Sequence, residues 1–342
     1  MPLFRRPDAT PVASLHPVRR IMPFLVPSRN GAFVLFEQEV AAEPARRWLE
    51  RANTGRPPER AITLFHLVLR AIGLALTEFP RLNRFVAGSR LYQRRDIWLA
   101  FSAKQRLERD APIFTKKIAF DPAEPLETMV DRIHAAVGEG RSGRASATDR
   151  EIDLFLRLPA PVLRLGVRLV RRLDAWGCLP ANFSAGDPLY ASAFVANLGS
   201  VGLDAAYHHL FEYGTIPIFV TIGRLHRAPV VRDDGSVGSR EVFTLRYTYD
   251  ERVEDGFYAA RALERLEALL EEPEQLTGSA EAAGYGLRFA SLLRSETSSP
   301  ASGPASSAPA GVSDAACPPR RRAPRPAVSA RRRCASARFA SR

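Results

Sequence analysis

Leu64, Leu67, Val68, Ala71, Ile72, Ala75, Leu76 and Phe79 recur at three- and four-residue spacing. That period predicts an amphipathic helix that begins after Thr63 and is stopped by Pro80. Leu126, Met129, Val130, Ile133 and Val137 predict a second helix, and Phe257 to Leu270 a third. Between them, Pro161 to Trp176 carries Leu163, Val167, Val170 and Leu173 on one side and Arg164, Arg168, Arg171 and Arg172 on the other. A short helix with Pro44 in its first turn is expected to run to Ala52. Strands are expected around Phe33–Phe36 (within Gly31–Val40), Ile97–Ser102, Ile113–Phe120, Tyr190–Ala196, Ile216–Ile222 and Val242–Tyr249. The last of these follows a turn at Asp233-Asp234-Gly235. Residues 1–20, with Pro2, Pro7, Pro11 and Pro17, read as an irregular arm, and Gly138–Thr148 as a polar loop. Interleaved strands and helices predict an α/β layer architecture.

The 342 residues are enough for a full core, and the 46% apolar and 25% charged fractions are those of an ordinary globular chain. The net charge of +12 is unevenly spread. Residues 297–342 hold nine arginines against the single acid Asp314, which leaves +4 for residues 1–296. That tail of Ser, Pro, Ala and Arg has almost nothing to bury and is expected to be disordered. The division expected is therefore an arm (1–20), one domain (21–296) and the tail (297–342). The Arg320–Arg322 and Arg331–Arg333 clusters could hold nucleic acid through phosphates, non-specifically; a solvated tail is the simpler reading. Only Lys104, Lys116 and Lys117 are lysine, as in a chain whose cationic residues reflect coding bias. Cys178, Cys317 and Cys334 have neither metal-ligand nor disulfide-scaffold spacing, so no metal is expected and a reducing compartment is. No signal peptide and no apolar run of about 18 residues is evident, which implies a cytoplasmic protein without a transmembrane segment.

Three segments, in order, carry a resemblance. They are Phe79-Pro80-Arg81-Leu82-Asn83 closing the first helix, Ala196-Asn197-Leu198-Gly199-Ser200-Val201-Gly202, and Asp250-Glu251-Arg252-Val253-Glu254-Asp255-Gly256. Together they resemble the catalytic domain of the dihydrolipoamide acyltransferases of 2-oxoacid dehydrogenase complexes, over roughly Arg20–Leu276. The resemblance implies a chloramphenicol acetyltransferase-like two-layer α/β sandwich with a mixed sheet. It also implies a homotrimer with its site between subunits, CoA or acyl-CoA as substrate, and no tightly bound cofactor. A small-molecule thioester or a carrier-bound acyl group would be the partner. About twenty residues precede the resemblance, with no lysine in the first hundred, so no lipoyl domain is expected in this chain.

Two positions depart from the family pattern. The third motif's histidine, the family's general base, is here Glu251, and the hydroxyl of the second motif is replaced by Ala196. The resemblance gives Arg252, Asp255 and Gly256 the shaping of the loop, and Asp255 also stands with Glu251, His208 and His209 among the candidate catalytic residues. Glu251 has two readings: a carboxylate base made basic by burial at a subunit junction, or a partner of Arg252 or another cation. His208 and His209 could supply the missing imidazole, or serve in packing. Asn197 reads as a turn former, with an oxyanion donor as the alternative. At the level of function, these readings give an acyltransferase using a base other than histidine, or a trimeric relative that has lost catalysis. The helix at 161–176 could lie on a membrane or cover an acyl chain, or be an ordinary surface helix.

Overall fold

The computed structural model describes residues 6–106, 108, 110–142, 156–232 and 234–278, all within one compact unit, Met1–Thr297. The expected tail and the stretch 143–148 of the expected loop lie outside the described residues. A six-stranded mixed sheet forms the frame. Its strands are β2 (Phe33–Ala41), β5 (Ile97–Lys104), β6 (Ile113–Phe120), β7 (Ala193–Asn197), β8 (Ile218–Val231) and β9 (Val237–Asp250). Their spatial order is β2-β9-β8-β7-β5-β6. The β5–β7 and β7–β8 pairs are parallel and the others antiparallel, so the expected mixed sheet is present.

Helices α2 (Ala42–Ala52), α3 (Leu64–Glu78), α4 (Leu126–Arg141) and α7 (Gly256–Glu271) contribute to one core with this sheet. Side chains alternate across the pleat. Val195, Val220, Leu245 and Tyr247 therefore meet Leu67, Ala71, Leu266 and Leu269 in that core. On the opposite face Phe194 and Phe219 pack with Leu210 and Ile216 of the 205–216 segment in a smaller cluster. Two layers result, as the resemblance implies. The stretch Pro58–Glu78 is long and apolar enough to cross a membrane, but 72% of its most apolar window is buried within the protein. Arg70, fully buried in α3, donates to the carbonyls of Asp121, Pro122, Leu276 and Gly278.

The N-terminal stretch is more regular than its prolines suggest. Ala9–Pro11 (β1) pairs with β4 (Arg90–Arg94), and α1 spans Pro17–Leu25. Pro17 opens that helix, where its missing N–H costs nothing, and His16 Nδ1 accepts from Val18 N–H. Strand β3 (Arg84–Ala87) completes a second, three-stranded sheet, β1-β4-β3. Its tight turn needs left-handed backbone at both Gly88 (φ 54°) and Ser89 (φ 59°). Helix α4 continues to Arg141, into the segment expected as loop, and β9 begins at Val237 rather than Val242. Helices α5 (Ala160–Trp176) and α6 (Ala181–Gly186) lie between α4 and β7.

Candidate active site

Strand β9 delivers the third motif. Its last residues hold two neighbours: Asp250 N–H donates to Pro217 O, and Glu251 N–H to Ala32 O, both at 2.9 Å. Arg252 then turns back onto the strand. Its Nε and Nη2 donate to the two carboxylate oxygens of Asp250 at 2.8 and 2.7 Å, and Nη1 donates to Val26 O and Pro27 O. Arg252 therefore pairs with Asp250 and not with Glu251, which answers one of the two expected readings of the glutamate. Among the described residues the Glu251 carboxylate has no hydrogen-bond or ion-pair partner, and the residue is exposed. Its main chain is fixed all the same, since Arg19 of α1 donates to Glu251 O at 2.9 Å.

Asp255 caps α7. Its carboxylate accepts from Tyr258 N–H at 2.9 Å, and that bond, with Arg19 nearby, lowers its pKa. Gly256 is the first residue of the helix and faces open space. The cap commits one Asp255 oxygen to the backbone.

Sequence reasoning missed Glu254. This buried side chain lies 3.3 Å from Arg84, 3.6 Å from Arg81 and 3.6 Å from Arg19, while Tyr249 OH donates to its carbonyl. Three arginines from α1 and from the end of the first motif thus converge on one carboxylate. The signal was present in the sequence, because Pro80-Arg81-Leu82-Asn83-Arg84 supplies two of the three.

The second motif lies elsewhere on the sheet. Ala196 presents only a methyl group beside its β8 partner Thr221, whose hydroxyl donates to Ala206 O at 2.6 Å. Asn197 Oδ1 accepts from Ser200 N–H at 3.1 Å, and Ser200 Oγ donates to Asn197 O. Both bonds close the turn locally. The first also sets the amide orientation, and among the described residues Asn197 Nδ2 has no acceptor. His208 stacks on Phe219 at 3.9 Å and 8°, and on His209 at 4.5 Å. Its Nδ1 donates to His209 O at 2.7 Å, which leaves Nε2 with a lone pair, and burial pushes its pKa down. His209 Nδ1 lies 3.1 Å from Leu210 O.

The ladder registers separate these groups. Ala196 pairs with Thr221, and Thr221 with Arg246, five residues before Glu251. Two strand spacings across and five residues along put Ala196 and Glu251 roughly 19 Å apart within one copy. By the same spacings Phe219, which carries the His208 stack, is roughly 11 Å from Glu251. One copy does not unite the two motifs. Among the described residues no group of three His, Cys, Asp or Glu side chains could hold a metal ion.

Residues 189–277, which carry both motifs, match the family model of the 2-oxoacid dehydrogenases acyltransferase (catalytic domain). The chain is 22% identical over 216 residues to the lipoamide acyltransferase component of the branched-chain alpha-keto acid dehydrogenase complex of Bacillus subtilis. That alignment covers 63% of this chain and 41% of the relative, so the chain spans less than half of the relative's length. Among solved structures, a probable dihydrolipoamide acetyltransferase from Listeria monocytogenes superposes with a TM-score of 0.51 and 16% identity. The match covers 76% of this chain and 94% of that one. The dihydrolipoamide acetyltransferase of Azotobacter vinelandii gives 0.51 and 17%, covering 76% and 88%. Residues 189–277 thus match the acyltransferase catalytic domain of the 2-oxoacid dehydrogenases, and the described chain carries the fold of dihydrolipoamide acetyltransferases.

Proposed function

We propose that this chain is an acyltransferase acting on a thioester, either CoA-linked or carrier-bound, and that Glu251 is its general base. The observation that carries the reading is the carboxylate left unpaired at the family's base position, because Arg252 is locked on Asp250. In the reaction the Glu251 carboxylate takes the proton of the attacking thiol. The thiolate adds to the thioester carbonyl, and the tetrahedral intermediate collapses with loss of the donor thiolate. Glu251 then returns the proton to that leaving sulfur, so the step balances without a further reactant. The site forms between copies of a homotrimer, because the roughly 19 Å between the motifs in one copy must be closed by a neighbour.

Ala196 has no hydroxyl for the oxyanion. The donor in reach along the same turn is Asn197 Nδ2, since Oδ1 is committed to Ser200 N–H. A cytoplasmic location follows from this reading. Calorimetric titration of purified protein with CoA and a short acyl-CoA, followed by an assay of thioester exchange, tests the proposal. Binding with turnover is expected.

The methyl group of Ala196 favours a second reading, a trimeric scaffold that binds ligand without catalysis. Under it, wild type shows no exchange, and the double replacement Glu251→His with Ala196→Ser gains it.

A further inference from the structure

Helix α5 carries two apolar faces, and only one of them is covered. Leu163, Val170 and Leu173 are half-buried against the body of the protein. Asp174, the sole acid between residues 156 and 176, is buried with its Oδ1 2.8 Å from Arg6 Nη1. The helix C-terminus is held close enough that a Cβ on Gly88 would lie 2.4 Å from Ala175 O. A separate stripe faces solvent: Val162, Leu165, Leu169 and Trp176, at spacings of three, four and seven residues. Leu165 is 66% exposed, Leu169 54% and Trp176 47%. Arg172 and Arg168 flank the stripe, and Arg164 and Arg171 stand farther round the same side of the helix, all exposed.

We propose that this face of α5 docks in the plane of an anionic lipid surface, with the leucines and Trp176 in the acyl boundary and the four arginines among the headgroups. Charge selects the occupant. A second copy of α5 would set arginine against arginine, and the nine-arginine tail 297–342 carries the same sign of charge. An exposed leucine stripe ending in tryptophan, edged by cations alone, fits the interfacial pattern. Each arginine near an anionic surface contributes about a fivefold gain in partitioning.

The test is co-sedimentation of the intact protein with vesicles of phosphatidylcholine alone, and with roughly 30 mol% phosphatidylglycerol added. Tryptophan emission is followed in parallel: Trp48 is buried and Trp98 half-buried in the sheet, so a shift that is absent from Trp176→Phe reports Trp176. Wild type should pellet with the anionic vesicles, show blue-shifted emission, and be released by about 0.5 M salt. Leu165→Gln with Leu169→Gln should lower partitioning by about tenfold or more while the melting midpoint stays unchanged, because both side chains are exposed. Unaltered binding by that double variant would assign the effect to the arginine-rich tail and overturn the proposal. Absence of binding to anionic vesicles would overturn it too, and leave the stripe to an acidic protein partner.

Discussion

Arg252 holds both carboxylate oxygens of Asp250 at 2.8 and 2.7 Å, in a pair of which at most 3% of either side chain meets solvent. The same guanidinium donates to Val26 O and Pro27 O, so it ties the end of α1 to the loop that presents Glu251. Removal of one partner would strand the other charge in the interior. Asp250→Ala is expected to cost about 3–5 kcal/mol of stability. Arg252→Lys should destabilise less but still lose the two-pronged grip, because an ammonium is a single point of charge. Urea unfolding of both variants checks the order.

Asn197→Asp separates the two uses of this side chain. A carboxylate still accepts from Ser200 N–H but has no amide to donate, so the turn survives and the oxyanion donor is lost. Exchange activity should fall about a hundredfold with an unchanged melting midpoint. Equal activity in this variant would remove Asn197 from the chemistry.

His66 is buried, with Nδ1 accepting from Thr63 N–H at 3.0 Å; burial and the neighbouring His134 hold its pKa down at about 3. The folded state therefore prefers neutral imidazole, whereas the unfolded chain protonates near the ordinary value of about 6.5. Its contribution is complete above pH 6.5 and is lost as pH falls from there towards 3. Between pH 6.5 and 5 that loss amounts to about 2 kcal/mol. Melting curves across this interval should show the decline, and His66→Gln should flatten it.

Gly88→Ala meets two obstacles at once. The backbone there is left-handed (φ 54°), and the new methyl would come within 2.4 Å of Ala175 O. Helix α5 would have to move, and a loss of about 2 kcal/mol or more is expected, read as a lowered denaturation midpoint.

The helices α3 and α7 were legible because their apolar positions repeat strictly and Pro80 marks a stop. The β3–β4 hairpin was not, since Arg84–Ala87 is short and opens on an arginine that is charged yet buried. Gly88-Ser89 was the available clue. The early part of β9 escaped because Gly238, Ser239 and Arg240 look like loop, whereas the ladder to β8 holds them as strand. Of the site, the loop around Glu251 was readable from its residue string. The role of α1 was not: Arg19 acts through a contact with residue 251 across 232 positions of sequence, and no local pattern reports such a pairing. The prolines of the arm argued for irregularity, although Pro17 in fact begins a helix.

A shared site requires association. Residues of the second and third motifs lie roughly 19 Å apart within one copy, so the purified protein should be trimeric at micromolar concentration. Light scattering gives the mass; a monomer there would leave the two motifs without a common substrate.

The central claim is that the unpaired carboxylate of Glu251 accepts the thiol proton, and thioester exchange by Glu251→Gln measures it most directly. The amide keeps the shape of the side chain but cannot take the proton, and the loop is still held by Arg252 and Arg19. Wild type is predicted to turn over and the variant to lose that activity by about a hundredfold or more, with CoA affinity within about twofold. Wild-type activity that survived the change would contradict the account and move the base to His208 Nε2. A wild type with no activity to lose would contradict it in favour of the scaffold.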